Sequence, residues 1–166
     1  ESDALVVSTF ESSRATLGLN GRKVIVEQTS QFPHQGRSEL VVQVDEPATF
    51  GILIRSPAWA GAIKVAVNGQ ALDSSVNNGY VVLPSREWNN GDRVSIDYRL
   101  ESNLTVAGHS NEGRCSLSYG PFVLAYDEAK NPGLPRASAV GLPKDFANLK
   151  KVAGPELAFH GSVLGR

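Results

Sequence analysis

Two Asn-Gly pairs constrain this chain more than any other feature. Asn20-Gly21 separates the runs "ATLGL" and "RKVIVEQT", and Asn68-Gly69 interrupts "AIKVAVNGQAL". A two-residue type I′ turn needs positive φ at both central positions, which this pair tolerates, so each predicts a tight β-hairpin. Between the turn signals lie short runs of Val, Ile, Leu and Thr, the pattern of antiparallel strands rather than of helices.

The rest of the chain follows the same pattern. Ala4 to Phe10 is a first strand-like run, and "SELVVQV" follows a loop containing Pro33 and Gly36 and closes at Pro47. "TFGILIR" is continuously apolar, which predicts a strand covered on both faces and ended by Pro57. Asn77-Asn78-Gly79 precedes the short run "YVVLP". Asn89-Asn90-Gly91-Asp92 leads into "RVSIDYRL", where Val94, Ile96, Tyr98 and Leu100 alternate with polar residues, so one strand face points inward and the other is wet. "RCSLSY" and "FVLAYD" flank Gly120-Pro121.

Beyond Asp127, Pro132, Pro135, Pro143 and Pro155 interrupt the chain and periodicity is weak. Residues 128–166 therefore read as an irregular tail that packs on the sandwich or on a missing domain, with at most a short helix near Lys144 to Lys151. About ten short strands joined by tight turns predict an all-β fold, an antiparallel β-sandwich over residues 1–127. A closed barrel is the alternative, and a second sandwich could start near Leu104.

Composition excludes several functions. The 166 residues are 41% hydrophobic and 20% charged with a net charge of -1, the profile of a folded chain without a basic stripe for nucleic acid. No apolar run approaches the roughly 20 residues that span a bilayer, so no membrane partner is expected. The single cysteine, Cys115, allows no internal disulfide and leaves the compartment open between the cytoplasm and a secreted or periplasmic location. Methionine is absent even at position 1, and the chain begins in strand-like sequence, as a processed or truncated product would.

Each candidate for chemistry has a plainer reading. His34, His109 and His160 lack the paired spacing of metal ligands, so no metal site is predicted. Cys115 stands in a strand-like run and reads as a small core residue. A glycosidase needs two carboxylates at a set separation. Asp45, Glu46, Asp73, Asp92, Asp127 and Glu128 fall at turns or beside Gly and Pro, where turn formation explains them. Asn103-Leu104-Thr105 matches a glycosylation acceptor, relevant only in a cell that performs that modification. Trp59, Trp88, Tyr80 and Tyr119 could line a sugar-binding groove, although core packing is the commoner use of such rings. Trp59, Trp88 and Tyr80 are the carbohydrate-binding candidates. No catalytic residue and no cofactor site is predicted.

In order, "LNGRKVIVEQTSQFP", "FGILIRSPAWA", "VAVNGQAL", "GYVVLPSREWNNGDRVSIDYRL" and "GRCSLSYGPFVLAYD" resemble the C-terminal β-sandwich part of the bacterial β-L-arabinofuranosidase family, glycoside hydrolase family 127 and its relatives. The resemblance runs from about Leu5 to Asp127 in segment order. It implies that catalysis belongs to an N-terminal (α/α)6 helical barrel, with a cysteine nucleophile near a zinc ion held by further cysteine and glutamate ligands, and an acid/base glutamate. Those residues precede the matched segments, so none carries over to a position here, and Cys115 is not the nucleophile's counterpart. What it implies for this chain is a noncatalytic module that covers the barrel and supports a homodimer. The alternative is a carbohydrate-binding module for arabinose-containing glycans.

Overall fold

The positive φ that an Asn-Gly turn requires is present at both predicted hairpins, 48° and 75° at Asn20-Gly21 and 51° and 80° at Asn68-Gly69. Asn78-Gly79 adds a third, at 49° and 80°. The computed structural model describes residues 4–73, 75–143, 149–162 and 164–165. It is built of strands, with three short 3-10 turns as its helical elements among the described residues. Two units divide it, Glu1–Leu100 and Glu101–Arg166.

The first unit contains β1 (Ala4–Val7), β2 (Ser13–Leu19), β3 (Arg22–Ser30), β4 (Arg37–Val44), β5 (Ala48–Arg55), β6 (Lys64–Val67), β7 (Gln70–Leu72), β8 (Val76–Asn77), β9 (Tyr80–Trp88) and β10 (Arg93–Asp97). They form two sheets, one ordered β1-β5-β9-β8 and the other β2-β3-β4-β10-β6-β7. Separate sheets make this a sandwich and not a closed barrel. All ladders are antiparallel except β1 with β5, where Leu5 pairs with Ile52 in parallel.

Alternation sets the interior. Val24 and Val26 of β3, Leu40 and Val42 of β4, and Val94 and Ile96 of β10 point inward from the six-stranded sheet. Phe50, Ile52 and Ile54 of β5 with Val81 and Leu83 of β9 face them from the four-stranded sheet, in one continuous core. Burial of apolar surface at roughly 25 cal/mol per Å² is what holds the two sheets together. The sequence run "YVVLP" suggests a strand ending near Pro84, whereas β9 continues to Trp88. A register shift opposite Phe50 and Ile52 explains this, because at a bulge proline's missing N–H breaks no ladder bond.

Side-chain bonds fix the turn before β10. The Asp92 carboxylate accepts from Asn68 Nδ2 at 2.9 Å and from the Asn89 amide at 2.8 Å, and Asn68 Oδ1 accepts from the Arg93 amide at 2.8 Å. At the other end of β10, the Tyr98 amide donates to Gly36 O at 2.8 Å. A Cβ on Gly36 would lie 1.8 Å from the Tyr98 carbonyl oxygen, so only glycine fits that approach.

The second unit has one three-stranded antiparallel sheet, β11 (Ser102–Val106), β12 (Cys115–Tyr119) and β13 (Phe122–Leu124). Leu104, Leu117 and Leu124 line up across it. Two-residue ladders follow, Val140–Gly141 with Leu164–Gly165 and Lys150–Lys151 with Phe159–His160. The helix expected near Lys144 to Lys151 falls largely outside the described residues, and its last two positions are strand.

Candidate functional site

The three carbohydrate-binding candidates occupy unlike places. Trp88 ends β9 in the core with no exposed surface, stacked on Phe50 at 5.7 Å between ring centroids. Its indole N–H donates to Phe50 O at 2.9 Å, which satisfies the polar atom that burial would otherwise strand. Arg86 lies 5.0 Å from the ring centroid. Trp88 has no face left for a sugar.

Trp59, in the 3-10 turn Ala58–Ala60, is half-buried in an aromatic cluster at one end of the core. Phe10 meets it edge-on at 5.8 Å, Tyr98 at 6.0 Å, and Phe32 lies 6.1 Å away. Tyr80 opens β9, half-buried and paired with Arg55. Tyr80 and Trp88 are the two ends of the nine-residue β9, about 25 Å apart at strand rise, so these two rings do not share a site. Tyr119, in the second unit, packs on Phe159 at 4.7 Å.

Tyr98 is a titratable group of this aromatic cluster. It is 6% exposed, and among the described residues no hydrogen bond of good geometry ends on its hydroxyl. Burial pushes its pKa above the ordinary 10.0, and the nearby charge of Glu11 adds to that, while the Ser38 and Ser30 hydroxyls act the other way. Such a phenol stays protonated and serves packing. In the second unit burial likewise raises Tyr119 and lowers Lys151, whose ammonium lies 6.0 Å from the Tyr119 ring.

The carboxylates go where turn chemistry sends them. Asp92 ties two turns, Glu46 pairs with Arg22, and Asp127 accepts from the Ala129 amide at 3.0 Å. Glu128 accepts from the Ala137 amide at 2.8 Å. Among the described residues no three of His, Cys, Asp and Glu converge as a metal ion would require. Cys115 corrects the expectation of a core cysteine. It is exposed at the first position of β12, opposite Val106, which is itself 71% exposed, because that end of the sheet is uncovered.

The two outer faces of the sandwich differ. Across the six-stranded sheet every outward row carries charge or polarity: Arg14, Glu27, Val41 and Arg93 in one, Thr16, Ile25 and Gln43 in the next. Glu39 accepts from Arg93, and Gln43 Nε2 donates to Glu27 at 3.4 Å between the outward apolar residues Ile25 and Val41. A shallow groove of about 410 Å³ runs there, lined by Lys23, Gln43, Asp45 and Asn90 around Ile25 and Val41. On the four-stranded sheet, Val6, Leu53 and Val82 instead form one apolar row. The unbroken apolar run in "TFGILIR" was the signal for that surface, since its outward member is Leu53.

Fold and side-chain roles together define a two-sheet β-sandwich module. A family model described as "Beta-L-arabinofuranosidase, GH127 middle domain" matches residues 4–100, the same stretch as the ten-stranded sandwich, and the chain belongs to that family. The structure of a GH127 β-L-arabinofuranosidase from Geobacillus stearothermophilus T6 is similar at a TM-score of 0.80 and 27% identity, over 95% of this chain and 25% of that one. A GH127 β-arabinofuranosidase matches at TM-score 0.80 and 24% identity, over 94% and 27%, and a glycoside hydrolase at 0.76 and 19%, over 95% and 26%. These two bear on fold alone. The chain spans about a quarter of the length of each. No curated protein matches it.

Proposed function

We propose that this chain is a noncatalytic module of a β-L-arabinofuranosidase-like glycoside hydrolase, following a catalytic helical barrel in the same polypeptide. Its work is architectural: the sandwich braces the barrel, and the residues from about Leu104 onward start a second sandwich. One observation carries the reading. The family match coincides with the two-sheet sandwich, in which Asp92 ties turns and Glu39 and Glu46 form surface ion pairs, within relatives about four times as long.

The test compares the 166-residue chain with the longer polypeptide that would contain it, on an aryl β-L-arabinofuranoside. Hydrolysis by the longer protein alone is the expected outcome. Turnover by the 166-residue chain itself would overturn the proposal.

A further inference from the structure

The outer face of the four-stranded sheet has the surface of an interface. Val6 of β1, Leu53 of β5 and Val82 of β9 are register partners in one row, Val6 being 48% exposed and Val82 41%. Ala4 pairs with Gly51 in the row on one side, and Arg55, Tyr80 and Asn77 form the row on the other, so Arg55 is the one charge in these rows. A water-facing sheet usually alternates apolar with polar, as the six-stranded sheet of this molecule does. The apolar row also reaches the sheet edge, because β1 is the outermost strand and its "ALVV" holds no charge of the kind that protects an exposed edge.

We infer that this face, centred on Val6, Leu53 and Val82, is the docking surface for another domain of the same polypeptide, which meets it with an apolar surface of its own. The inference rests on the reading of the chain as one module of a longer protein. Size separates a tethered neighbour from a second copy. Stable association of separate chains buries roughly 800 Å² per partner, more than three large apolar side chains supply. A covalently linked domain is present at an effective concentration in the millimolar range, and so closes on a smaller patch. Relatives of this fold supply that additional chain, three quarters of their length lying outside the part matched here.

Val82→Cys and, as control, Thr16→Cys on the outer face of the six-stranded sheet are each made in the longer polypeptide and in the 166-residue chain. Maleimide labelling at the introduced thiol is followed by peptide mass spectrometry. The expected result is labelling at position 82 at least tenfold slower in the longer protein, with position 16 unchanged. Equal labelling at position 82 in both proteins would refute the assigned face while leaving the noncatalytic reading intact, since that depends on the hydrolysis assay. Protection in the short chain that grows with its concentration would make a second copy the occupant and also overturn the inference. Radical footprinting of the unsubstituted proteins at Leu53 and Val82 gives the same comparison if the cysteine variants do not fold.

Discussion

The two units are both made of strands, yet only the first has a sealed interior. In Glu1–Leu100 two sheets face each other, and Val24, Val42, Phe50, Ile52, Trp88 and Val94 have no exposed surface. In Glu101–Arg166 no described side chain is fully buried, although Leu104, Leu117 and Leu124 form a row as regular as any in the sandwich. Strand pairing satisfies the backbone; excluding water takes a second layer. The lesson is that a sheet becomes a domain only when another surface covers its apolar face.

Hydrogen exchange tests this contrast most severely. Amides of β4, β5 and β10 should open only with global unfolding, whereas those of β11 to β13 should exchange on the order of 100-fold faster or more, because little buried area holds that sheet. Equal protection of β12 and β4 would break the comparison. Next in size, Trp88→Ala should cost about 3–5 kcal/mol in denaturant unfolding, as removal of a large core ring does. Leu117→Ala, at a half-buried position, should cost about 1 kcal/mol or less, since truncation there leaves no sealed cavity. Similar losses for the two substitutions would show that the second unit has a core of its own.

The remaining tests sharpen the picture of the first unit. Asp92→Ala removes the acceptor for the Asn68 side chain and the Asn89 amide, and about 1–2 kcal/mol should be lost in thermal or chemical unfolding. A loss within error would mean that the backbone alone holds these turns. Tyr98 supplies a pH test. Its folded pKa lies above the ordinary 10.0, so the folded state keeps a proton that the unfolded state releases, and stability should fall as pH rises past 10.0. Tyr98→Phe should flatten that decline in a series of melting temperatures taken at alkaline pH. An unchanged slope would remove Tyr98 as its source. Smallest of all, Glu39→Gln should shift stability by at most about 1 kcal/mol, because the Arg93 pair is solvent-exposed and screened. A larger loss in a urea titration would show that the charged outer face contributes more than solubility.

Much of the sandwich was legible in the residues. Asn20-Gly21 and Asn68-Gly69 turn where their φ tolerance predicts, and Val94, Ile96 and Tyr98 point inward as their spacing requires. Pro47 and Pro57 lie just beyond the ends of β4 and β5. β11 escaped notice because "SNLTV" is short, polar and without a marked turn before it. Pro84 misled because a bulge in the paired ladder is invisible in one strand alone. The candidate surface was legible only in part. The apolar run around Leu53 predicts a strand covered on both faces, whereas in the structure its outer side is partly open, and the alignment of Leu53 with Val6 and Val82 depends on two pairings, one of them parallel.

By itself the sequence determined the strands, their tight turns and the inward side of most of them. Those properties depend on the φ preferences and the two-residue period of a few neighbouring residues. Tertiary structure decided that Trp88 lies in the core while Trp59 joins an end cluster, that Cys115 is exposed, and that one outer face carries charge in its rows while the other holds an apolar row of Val6, Leu53 and Val82. Such outcomes turn on which distant strand becomes a neighbour. Val6 and Leu53 are brought side by side by a sheet and not by the chain between them.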